Sequence, residues 1–462
     1  MSMFKGFQNV FRIPELRKKI LITLGLVAVC RLISQIPTPG VNWIALKTVI
    51  RDFTSNGGGG ALDWIEMFTG GALAQCAIGF LSIWPYITAS IVIQLLSSVI
   101  PALEKLKKEG ESGRQQLAQI TRYITIFLCV AQSWGIAKLL CNPQALGLNV
   151  QLVTNPGLGF YLMTVIGMTT ASLFVMWLAD QITTFGIGNG ASLIIMINIT
   201  SRLPRALHDM WVRYFDANGD HGYITEFVIV LFLGFFVIMG TVLLTQGVRR
   251  VLIHATRRSA AGGASSYGQM QQTYLPLRVN YAGVMPIIFA GPLLQVLGLL
   301  SKIQPEGSRV LQVLKDFGDS LMNQSALYIV LYGALIMFFT FFWVATQFNA
   351  IDISENLKKE GSYVPGVRPG RATAEYLDSV MTRVTLIGGT GLLIVAILPV
   401  LLTKVFTQPK PISWTMASFF GGTSLLIIVG VALDTLRIME SHLLVRKYDG
   451  FLRHGTLRGR RG

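Results

Sequence analysis

The sequence predicts an all-α membrane protein with ten transmembrane helices. Three observations lead to this prediction: an apolar composition, a series of intervals long enough to span a bilayer, and an uneven distribution of basic residues. Of the 462 residues, 52% are hydrophobic and 13% are charged, and the mean hydropathy is +0.55. Soluble chains carry about 25% charged residues, so this chain has too little polar surface to coat several soluble domains. A soluble enzyme, a disordered protein and a disulfide scaffold are therefore excluded.

Ten apolar intervals account for the predicted helices, because a span needs about 20 apolar residues and a charge at its centre costs about 3 kcal/mol. The first is the run Ile20–Cys30, which continues through Arg31 to Ile36. Arg31 lies close to the break at Pro37–Gly40, and we expect its side chain to reach the membrane interface there. The other nine are free of charge: Met67–Leu103, Tyr123–Ala137, Leu139–Ala179, Gln181–Ser201, Phe227–Val248, Val279–Ser301, Leu321–Ile351, Val384–Thr403 and Pro411–Leu433.

The basic residues predict the orientation of these spans. If the N-terminus is cytoplasmic, 27 of the 39 Lys and Arg residues lie in cytoplasmic segments and 11 lie in external segments. Cytoplasmic loops of membrane proteins carry such an excess of positive charge, so both termini are predicted to be cytoplasmic. The cytoplasmic segments are then 1–19, 101–122, 179–187, 246–278, 348–383 and 437–462.

The interval Met67–Leu103 is too long for one helix, since its 37 residues would extend about 55 Å against a hydrocarbon core of about 30 Å. Gly57–Gly60 and Gly70-Gly71 divide this region into a short segment, 61–69, and a span from about Gln75 to Ile100. Irregular backbone is not tolerated against lipid. The short segment therefore lies against protein or in an aqueous cavity, with an external loop helix as the alternative.

Three spans contain helix-breaking residues. Pro85 lies within the second span and Pro286 within the seventh, at corresponding positions of the two five-span halves. The fifth span begins with the glycine-rich string 186–190. Interrupted helices at matching positions of two halves are typical of a central transport pathway.

The spans contain no residue type on which catalysis or ion coupling would depend. A pump or ion-coupled transporter usually keeps an ionisable residue near mid-membrane, and the nine charge-free intervals contain no Asp, Glu, Lys or His. The sequence contains no phosphate-binding GxxxxGK[ST] motif, and its four cysteines lack metal-ligand spacing. We therefore predict no catalytic residue, no cofactor and no metal. An uncharged pathway favours a passive conduit closed by a hydrophobic constriction.

The predicted cytoplasmic loops 246–278 and 348–383 are longer than a membrane turn requires, which favours docking of a soluble partner. Segment 257–272 is rich in Gly, Ala, Ser and Gln and is interpreted as a flexible loop tip. Two Leu-Lys-Lys-Glu-Gly strings, beginning at Leu106 and Leu357, are interpreted as Lys-rich turns at the membrane edge.

Several longer strings, distributed along nearly the whole chain, occur in a characteristic order. They are Arg31-Leu32, Ile36–Gly40, Trp84–Ile91, Gln94–Leu96, Leu106–Arg114, Gln181–Thr183, Gly186–Gly190, Leu275–Asn280, Val364–Gly370 and Phe420–Ile427. In these strings the chain resembles the SecY family of protein-translocation channels. The resemblance implies two pseudo-symmetric five-helix halves that form a clamshell around a pore, with a short plug helix.

The resemblance also implies a division of the chain into functional regions. These are a cytoplasmic or interfacial segment at 1–19, an N-terminal half at 20–201 with the plug at about 61–69, an external hinge loop at 202–222, a C-terminal half at 223–442 and a basic cytoplasmic tail at 443–462.

Site residues follow from the same resemblance. The plug residues are Leu62, Trp64, Ile65, Met67 and Phe68. The pore ring consists of Ile83, Ile87, Ala191, Ile195, Ile288 and Ile427. The lateral gate, between spans two–three and seven–eight, carries Gln94 and Asn280. The docking residues are Arg249, Arg250, Arg257, Arg258, Lys358, Lys359, Arg368 and Arg371.

The chain departs from the family pattern at three places. Ala191 stands where a bulky ring residue is usual, Ala260–Ser266 occupies a loop tip that often carries an arginine pair, and Ile351 replaces a basic residue. Arg257 and Arg258 are then displaced substitutes for the arginine pair.

The implied function is that of the central channel subunit, in the cytoplasmic membrane of a bacterium with both termini inside. It conducts unfolded signal-bearing polypeptides across the membrane and releases membrane segments into lipid. The implied partners are SecE, SecG, the SecA motor ATPase, the ribosome, signal sequences and nascent membrane proteins, with no nucleic-acid specificity beyond ribosome docking. A small-solute secondary transporter remains an alternative, because it also uses repeats and broken helices, and a structural scaffold is a third reading.

Overall fold

The structure is a computed structural model of the chain. It describes residues 14–42, 44–46, 48, 66, 68–73, 75–143, 152–215, 224–255, 272–298, 309–322, 325–405, 416–417, 419 and 422–454. It divides into two compact units, the first formed by Met1–Arg205 with Val431–Gly462 and the second by Ala206–Gly430. The division of the chain into halves at the loop 202–222 stays a prediction.

Helices dominate both units. In chain order the helices are α1 (Pro14–Ile33), α2 (Trp84–Val99), α3 (Pro101–Lys108), α4 (Glu111–Cys141), α5 (Leu158–Phe185), α6 (Gly190–Thr200), α7 (Leu203–Phe215), α8 (Ile224–Gln246), α9 (Met285–Gly298), α10 (Arg309–Met322), α11 (Ala326–Gln347), α12 (Ala350–Lys359), α13 (Arg371–Val405) and α14 (Thr423–His454). A 3-10 helix, Ile78–Leu81, precedes α2. The strands are β1 (Val248–Ala255), β2 (Gln272–Arg278) and β3 (Ser362–Tyr363).

Each of the ten predicted spans contains a helix: α1, α2, α4, α5, α6, α8, α9, α11, α13 and α14. Within the described residues, 6 helical segments are long and apolar enough to cross a membrane by length and composition. Helices α6 and α9 are shorter, with 11 and 14 residues, than the roughly 20 residues of a full span.

The sequence predicts that the two prolines interrupt helices, but both lie at the start of a helix. Pro85 and Pro286 are each the second residue of their helices, α2 and α9. Proline is tolerated in the first turn because the amide hydrogen that it lacks has no partner there. Before α2 the backbone breaks at Ser82, which has a φ of 46°. The backbone is therefore broken near Pro85, as the sequence predicts. The break lies before α2 and not within it.

In unit 1, α5 packs against α1, α4, α6 and the 3-10 helix. Gly190, the first residue of α6, lies so close to α5 that a Cβ would collide with the Ala179 carbonyl. Asn189 caps α6, since its side-chain oxygen accepts hydrogen bonds from the amides of Ala191 and Ser192 at 3.0 and 3.3 Å. The glycine-rich string 186–190, which the sequence predicts to disrupt the start of the helix, therefore forms a capped and tightly packed helix start.

In unit 2, the long helix α13 packs against α8, α11 and α12. Its glycines permit this close approach, as small residues do in membrane helix pairs. A Cβ at Gly389 would lie 2.9 Å from Met337 Sδ, and one at Gly391 would lie 2.5 Å from a Leu244 methyl group. A further core cluster joins α7 and α8 to α13 around the buried residues Val230 and Leu402.

Unit 2 also contains a three-stranded antiparallel sheet of order β2–β1–β3, which the sequence did not predict. Strand β1 pairs with β2 from Val248 opposite Arg278 to His254 opposite Gln272. It pairs with β3 through His254 opposite Tyr363 and Ala255 opposite Ser362. The sheet therefore ties the loop regions 246–278 and 348–383 to each other.

Candidate functional site

The end of the predicted plug segment is fixed within unit 1 by both rings and backbone. The Phe68 ring lies 5.0 Å from the Trp84 ring, centroid to centroid. Phe68 and Thr69 are buried, and the Gly70 amide donates a 2.9 Å hydrogen bond to the Glu66 carbonyl. Glu66, Phe68, Thr69 and Gly70 thus belong to one turn, called the plug turn below, which packs against Trp84, the first residue of α2.

Three side chains hold this turn by its carbonyl groups. Asn198 Nδ2 donates to the Phe68 carbonyl at 2.9 Å, and Arg31 Nη2 donates to the Gly70 carbonyl at 3.1 Å. Ser201 Oγ donates to the same Gly70 carbonyl at 3.4 Å. Arg31 ends α1 while Asn198 and Ser201 belong to the end of α6 and the turn after it. The Arg31 guanidinium therefore has protein partners, and its position at the membrane interface stays a prediction.

A second polar chain connects this site to the start of α2. Asn198 Nδ2 also donates to Ser82 Oγ at 3.1 Å, and Ser172 Oγ donates to the Ser82 carbonyl at 2.8 Å. Cys129 Sγ lies 3.4 Å from Ser172 Oγ. Ser82 has a positive φ and directly precedes Ile83, so side chains from α4, α5 and α6 fix the backbone that presents Ile83.

Glu66 provides an ionic contact in the same turn. Its side chain is 8% exposed, and Oε2 lies 3.6 Å from Nη2 of Arg202, which is equally buried. Oε1 lies 3.8 Å from Nη1 of Arg205, a side chain that is 60% exposed. A buried carboxylate requires such partners, because desolvating an unpaired charge is expensive.

The six predicted pore-ring residues divide between the two units. Ile83 and Ile87 lie at the beginning of α2, and Ala191 and Ile195 lie on α6, all in unit 1. Ile288 on α9 and Ile427 on α14 belong to unit 2. The five isoleucines are buried, whereas Ala191 is partly exposed. Ile83 is the N-cap residue of α2, whereas Ile195 lies in the middle of α6.

The predicted lateral-gate residues also belong to different units. Gln94 is half-buried on α2 in unit 1, where its carbonyl accepts a 2.7 Å hydrogen bond from Ser97 Oγ. Asn280 is half-buried in the bend between β2 and α9 in unit 2.

Six predicted docking residues are exposed on or beside the sheet of unit 2: Arg249, Arg250, Lys358, Lys359, Arg368 and Arg371. Arg368 lies in a tight bend between Gly366 and Gly370, which have φ values of 81° and 107°. Thr373 Oγ1 donates a 2.9 Å hydrogen bond to the Arg368 carbonyl and so fixes this bend. The six cations are therefore exposed on a framework that the sheet and this hydrogen bond fix, and exposed positive charge attracts acidic partners.

Some predicted site residues lie outside the described residues. They are the plug residues Leu62, Trp64, Ile65 and Met67 and the docking residues Arg257 and Arg258.

A family model described as SecY matches residues 77–436 of the chain. The SecY protein translocase subunit of Streptomyces griseus is 40% identical over 457 residues, which cover 98% of this chain and 100% of that protein. The chain belongs to the SecY family. The SecY subunit of Thermotoga maritima is 37% identical over 464 residues, 99% of this chain and 100% of its own length.

Solved structures of Sec channels share the fold. One, described as showing that the plug domain of SecY stabilises the closed state of the translocation channel and maintains a membrane seal, matches with a TM-score of 0.54. It is 14% identical and covers 93% of this chain and 92% of its own. Sec61 in the canine ribosome-channel complex has a TM-score of 0.51 and 15% identity, with 93% of both chains covered.

Family membership confirms the predicted fold class, a ten-helix membrane protein in two five-helix halves. The chain is a multi-pass protein of the bacterial cytoplasmic membrane, and its family is one of translocation channels, not of enzymes. The alternatives of a solute transporter and a scaffold are therefore excluded. Among the described residues, no three His, Cys, Asp or Glu side chains are grouped in a way that could hold a metal ion.

The sequence patterns did not predict the polar contacts that hold the plug turn of this SecY-family chain, which involve Arg31, Ser82, Asn198, Ser201 and the ionic group around Glu66. One signal was present. Asn198 is a strongly polar residue near the end of an apolar interval, where polar side chains usually bond to another helix.

Proposed function

We propose that the chain is the channel-forming subunit of a protein translocase. It conducts unfolded, signal-bearing polypeptides across the cytoplasmic membrane and releases membrane segments laterally into lipid. The observation that carries this proposal is SecY-family membership over the whole chain, with a named translocase subunit covered along 100% of its length. The chain itself is a passive conduit, and a partner motor supplies the free energy of ATP hydrolysis.

The closed state depends on the plug. In the solved SecY structure the plug domain stabilises the closed state and maintains a membrane seal. In this chain, contacts at Glu66, Phe68 and Gly70 hold the corresponding segment to α1, α2 and α6. These contacts support a plug that is seated when no polypeptide is passing.

The constriction is formed by Ile83, Ile87, Ala191, Ile195, Ile288 and Ile427. A narrow passage lined by branched apolar side chains expels water when empty, yet its side chains can move aside for a polypeptide. Asn198 lies three residues after Ile195 and bonds to Ser82, next to Ile83. Residues three apart lie on the same face of a helix. This placement supports the proposal that Asn198 holds both the plug turn and the constriction residues in position.

Gln94 and Asn280 contribute to the lateral gate, where a signal sequence leaves the channel for lipid. Their half-buried amides suit a gate, because amide hydrogen bonds between membrane helices are modest in strength and can reform. Both termini are cytoplasmic, as the excess of Lys and Arg in the corresponding segments supports.

The basic surface beside the sheet is the docking site for the SecA motor and for the ribosome. Its support is the cluster of exposed cations Arg249, Arg250, Lys358, Lys359, Arg368 and Arg371. The related Sec61 channel has been solved in a complex with a ribosome. SecE and SecG are the further subunits, and copurification of a small SecE-like helical protein with the tagged chain is the direct test of that partnership.

Translocation into reconstituted vesicles tests the proposed function. Vesicles containing the purified complex are mixed with a signal-bearing preprotein, SecA and ATP, and the protease-protected preprotein is measured. We expect protection that requires the channel, the signal sequence and ATP. Uptake of small solutes without any protected preprotein would overturn the proposal.

A further inference from the structure

Helix α7 carries an apolar stripe that its own unit leaves exposed. Leu207, Trp211 and Phe215 follow one another at intervals of four residues, so their side chains lie on one face of the helix. All three are exposed, Trp211 to 63%. The rings of Trp211 and Phe215 stack with their centroids 4.8 Å apart. The stripe is therefore an ordered aromatic surface and not a set of scattered apolar residues.

The side of α7 that faces the core is a different one. Ala206 is fully buried, and Met210 and Tyr214 pack against the core cluster that joins α7 and α8 to α13. These three residues are also four apart and form the face next to the stripe. His208, on the far side of the stripe, is exposed. Helix α7 thus has a packed face, an exposed apolar face and a polar face.

A ring contact joins the stripe to the exposed surface of α8. The Phe215 and Phe227 rings lie 5.2 Å apart, centroid to centroid. Phe227 begins the segment Phe227–Gln246, which is long and apolar enough to cross a membrane. Leu231 and Phe235 follow Phe227 at intervals of four on the same helix face, and both are exposed. The stripe is therefore continuous with the exposed face of a membrane span, at the end where that span begins.

The position and chemistry of the stripe favour lipid as its occupant. Exposed apolar patches of this kind mark contacts with a protein or a membrane, and the adjoining face of α8 belongs to a span that lipid surrounds. A surface that continues this face at the end of the span lies at the level of the headgroups. Tryptophan prefers that level, because its ring combines an apolar body with a polar N–H group.

We propose that α7 is an interfacial helix that inserts Leu207, Trp211 and Phe215 into the bilayer where α8 enters it. An amphipathic helix with such a face lies in the plane of the interface, with its apolar side chains at the boundary of the acyl chains. The stripe is uncharged, so the contact requires phospholipid acyl chains and no particular headgroup.

The lipid contact concerns the part of the chain that connects the two units. The boundary between them falls between Arg205 and Ala206, in the first turn of α7. The chain therefore passes from one unit to the other through a helix that lipid holds. The proposal requires only that α8 crosses the membrane, so it goes beyond the proposed function and does not depend on it.

The collision accessibility of a nitroxide spin label tests the proposal. The label is attached to Leu207→Cys or Phe215→Cys in a chain whose four native cysteines are replaced by alanine. The purified complex is reconstituted in vesicles of phosphatidylethanolamine and phosphatidylglycerol. Oxygen partitions into the bilayer, whereas a water-soluble nickel chelate stays outside it. The ratio of the two accessibilities therefore distinguishes a label in lipid from one in water.

We expect the oxygen-to-nickel ratio at Leu207→Cys and Phe215→Cys to be at least about threefold higher than at His208→Cys. His208→Cys is the matched control, because it lies on the polar side of the same helix and is also exposed. Phe235→Cys on α8 provides the reference for lipid, and Lys358→Cys on α12 provides the reference for water; both residues are exposed.

Two results would overturn the proposal. Ratios at Leu207→Cys and Phe215→Cys equal to that at His208→Cys would show that the stripe faces water. Low accessibility to both reagents would show that another protein subunit covers it. Neither result depends on preprotein transport, so a failure of the proposed function appears separately, as the absence of protected preprotein.

If the cysteine-free chain cannot be purified, the wild-type complex decides. It is reconstituted in vesicles that contain a phospholipid with a photoactivatable group in its acyl chain, and the modified residues are identified by mass spectrometry. We expect adducts on Trp211 or Phe215 as well as on Leu231 or Phe235 of α8. Adducts on α8 without any on α7 would overturn the proposal.

Discussion

Arg31 Nη1 lies 3.3 Å from Asn198 Oδ1 and donates to it, although the two residues are 167 positions apart in the chain. The contact joins the end of α1 to α6 directly beside the plug turn. Arg31 and Asn198 also donate separately to the carbonyls of Gly70 and Phe68. Two helices therefore hold each other and the plug turn through the same pair of side chains.

Replacing Asn198 should weaken this arrangement. The side chain is 3% exposed, and Asn198→Ala leaves the Phe68 carbonyl, Ser82 Oγ and Arg31 without one partner each. We expect a loss of ~1–3 kcal/mol in stability, measured as a lower Tm of the purified complex. Thr200→Ala on the same helix removes an exposed hydroxyl bonded only to the Met196 carbonyl, and its Tm should match wild type. Equal Tm values for both variants would contradict the account.

Two adjacent glycines offer a matched pair. Gly70 and Gly71 both have positive φ, 65° and 91°. A Cβ at Gly70 would collide with the Arg31 guanidinium and lie 3.1 Å from the Asn198 backbone, while one at Gly71 meets nothing within 4 Å. Overpacking costs ~1–3 kcal/mol, and 1.4 kcal/mol is a factor of about ten.

We therefore expect Gly70→Ala to raise basal conductance about tenfold, and Gly71→Ala to change it less than about threefold. Conductance in planar bilayers provides the measurement. Equal increases in the two variants would show that backbone strain, not the contact with Arg31, is responsible.

Ala191 is the one small side chain among the six residues of the proposed constriction. Ala191→Ile adds branched apolar volume to a partly exposed position on α6, and a more apolar constriction excludes water better. We expect the basal ion leak to fall, measured by planar-bilayer conductance. Ala191→Ser keeps the volume nearly constant and serves as the control. If Ala191→Ile leaves the leak unchanged, Ala191 does not line the constriction.

Arg368 should be required for motor-driven transport. Its side chain is exposed in a bend fixed by Thr373, so Arg368→Glu reverses a surface charge without disturbing the fold. We expect SecA-dependent translocation to be lost while the Tm stays within the wild-type range. Lys138→Glu makes the same charge change at an exposed residue of a predicted external segment and should transport normally. Normal transport by Arg368→Glu would contradict the docking assignment.

The length of the apolar intervals and the distribution of charge were sufficient to locate the ten spans, because each span is a local property of about 20 residues. The sheet was missed for a physical reason. Strand β1 carries Arg249-Arg250, and Pro276 stands within β2. Neither feature is typical of a strand, and the pairing of His254 with Tyr363 joins distant parts of the sequence.

The contacts that hold the plug turn also could not be predicted from local sequence, because they join residues that are distant in the chain. Glu66 and Arg202 look like ordinary solvated charges in predicted external segments, and only the fold shows that both are buried and paired. Arg31 similarly looked like a residue that reaches the membrane interface, because its partner Asn198 lies on a helix far away in the sequence. Family motifs predict the ring and gate residues by their position in the chain, and such a prediction does not require knowing their contacts.

Crosslinking of an arrested preprotein tests the central claim, passage of a polypeptide through this chain, most directly. A photoreactive residue is placed at Ile83 or Ile195, both buried, or as a control at Ile166, which is 63% exposed on the surface of α5. The account predicts crosslinks from Ile83 and Ile195 to a translocating segment, dependent on SecA and ATP, and none from Ile166. Crosslinks from Ile166 alone, or from none of the three positions while the preprotein is being translocated, would contradict it.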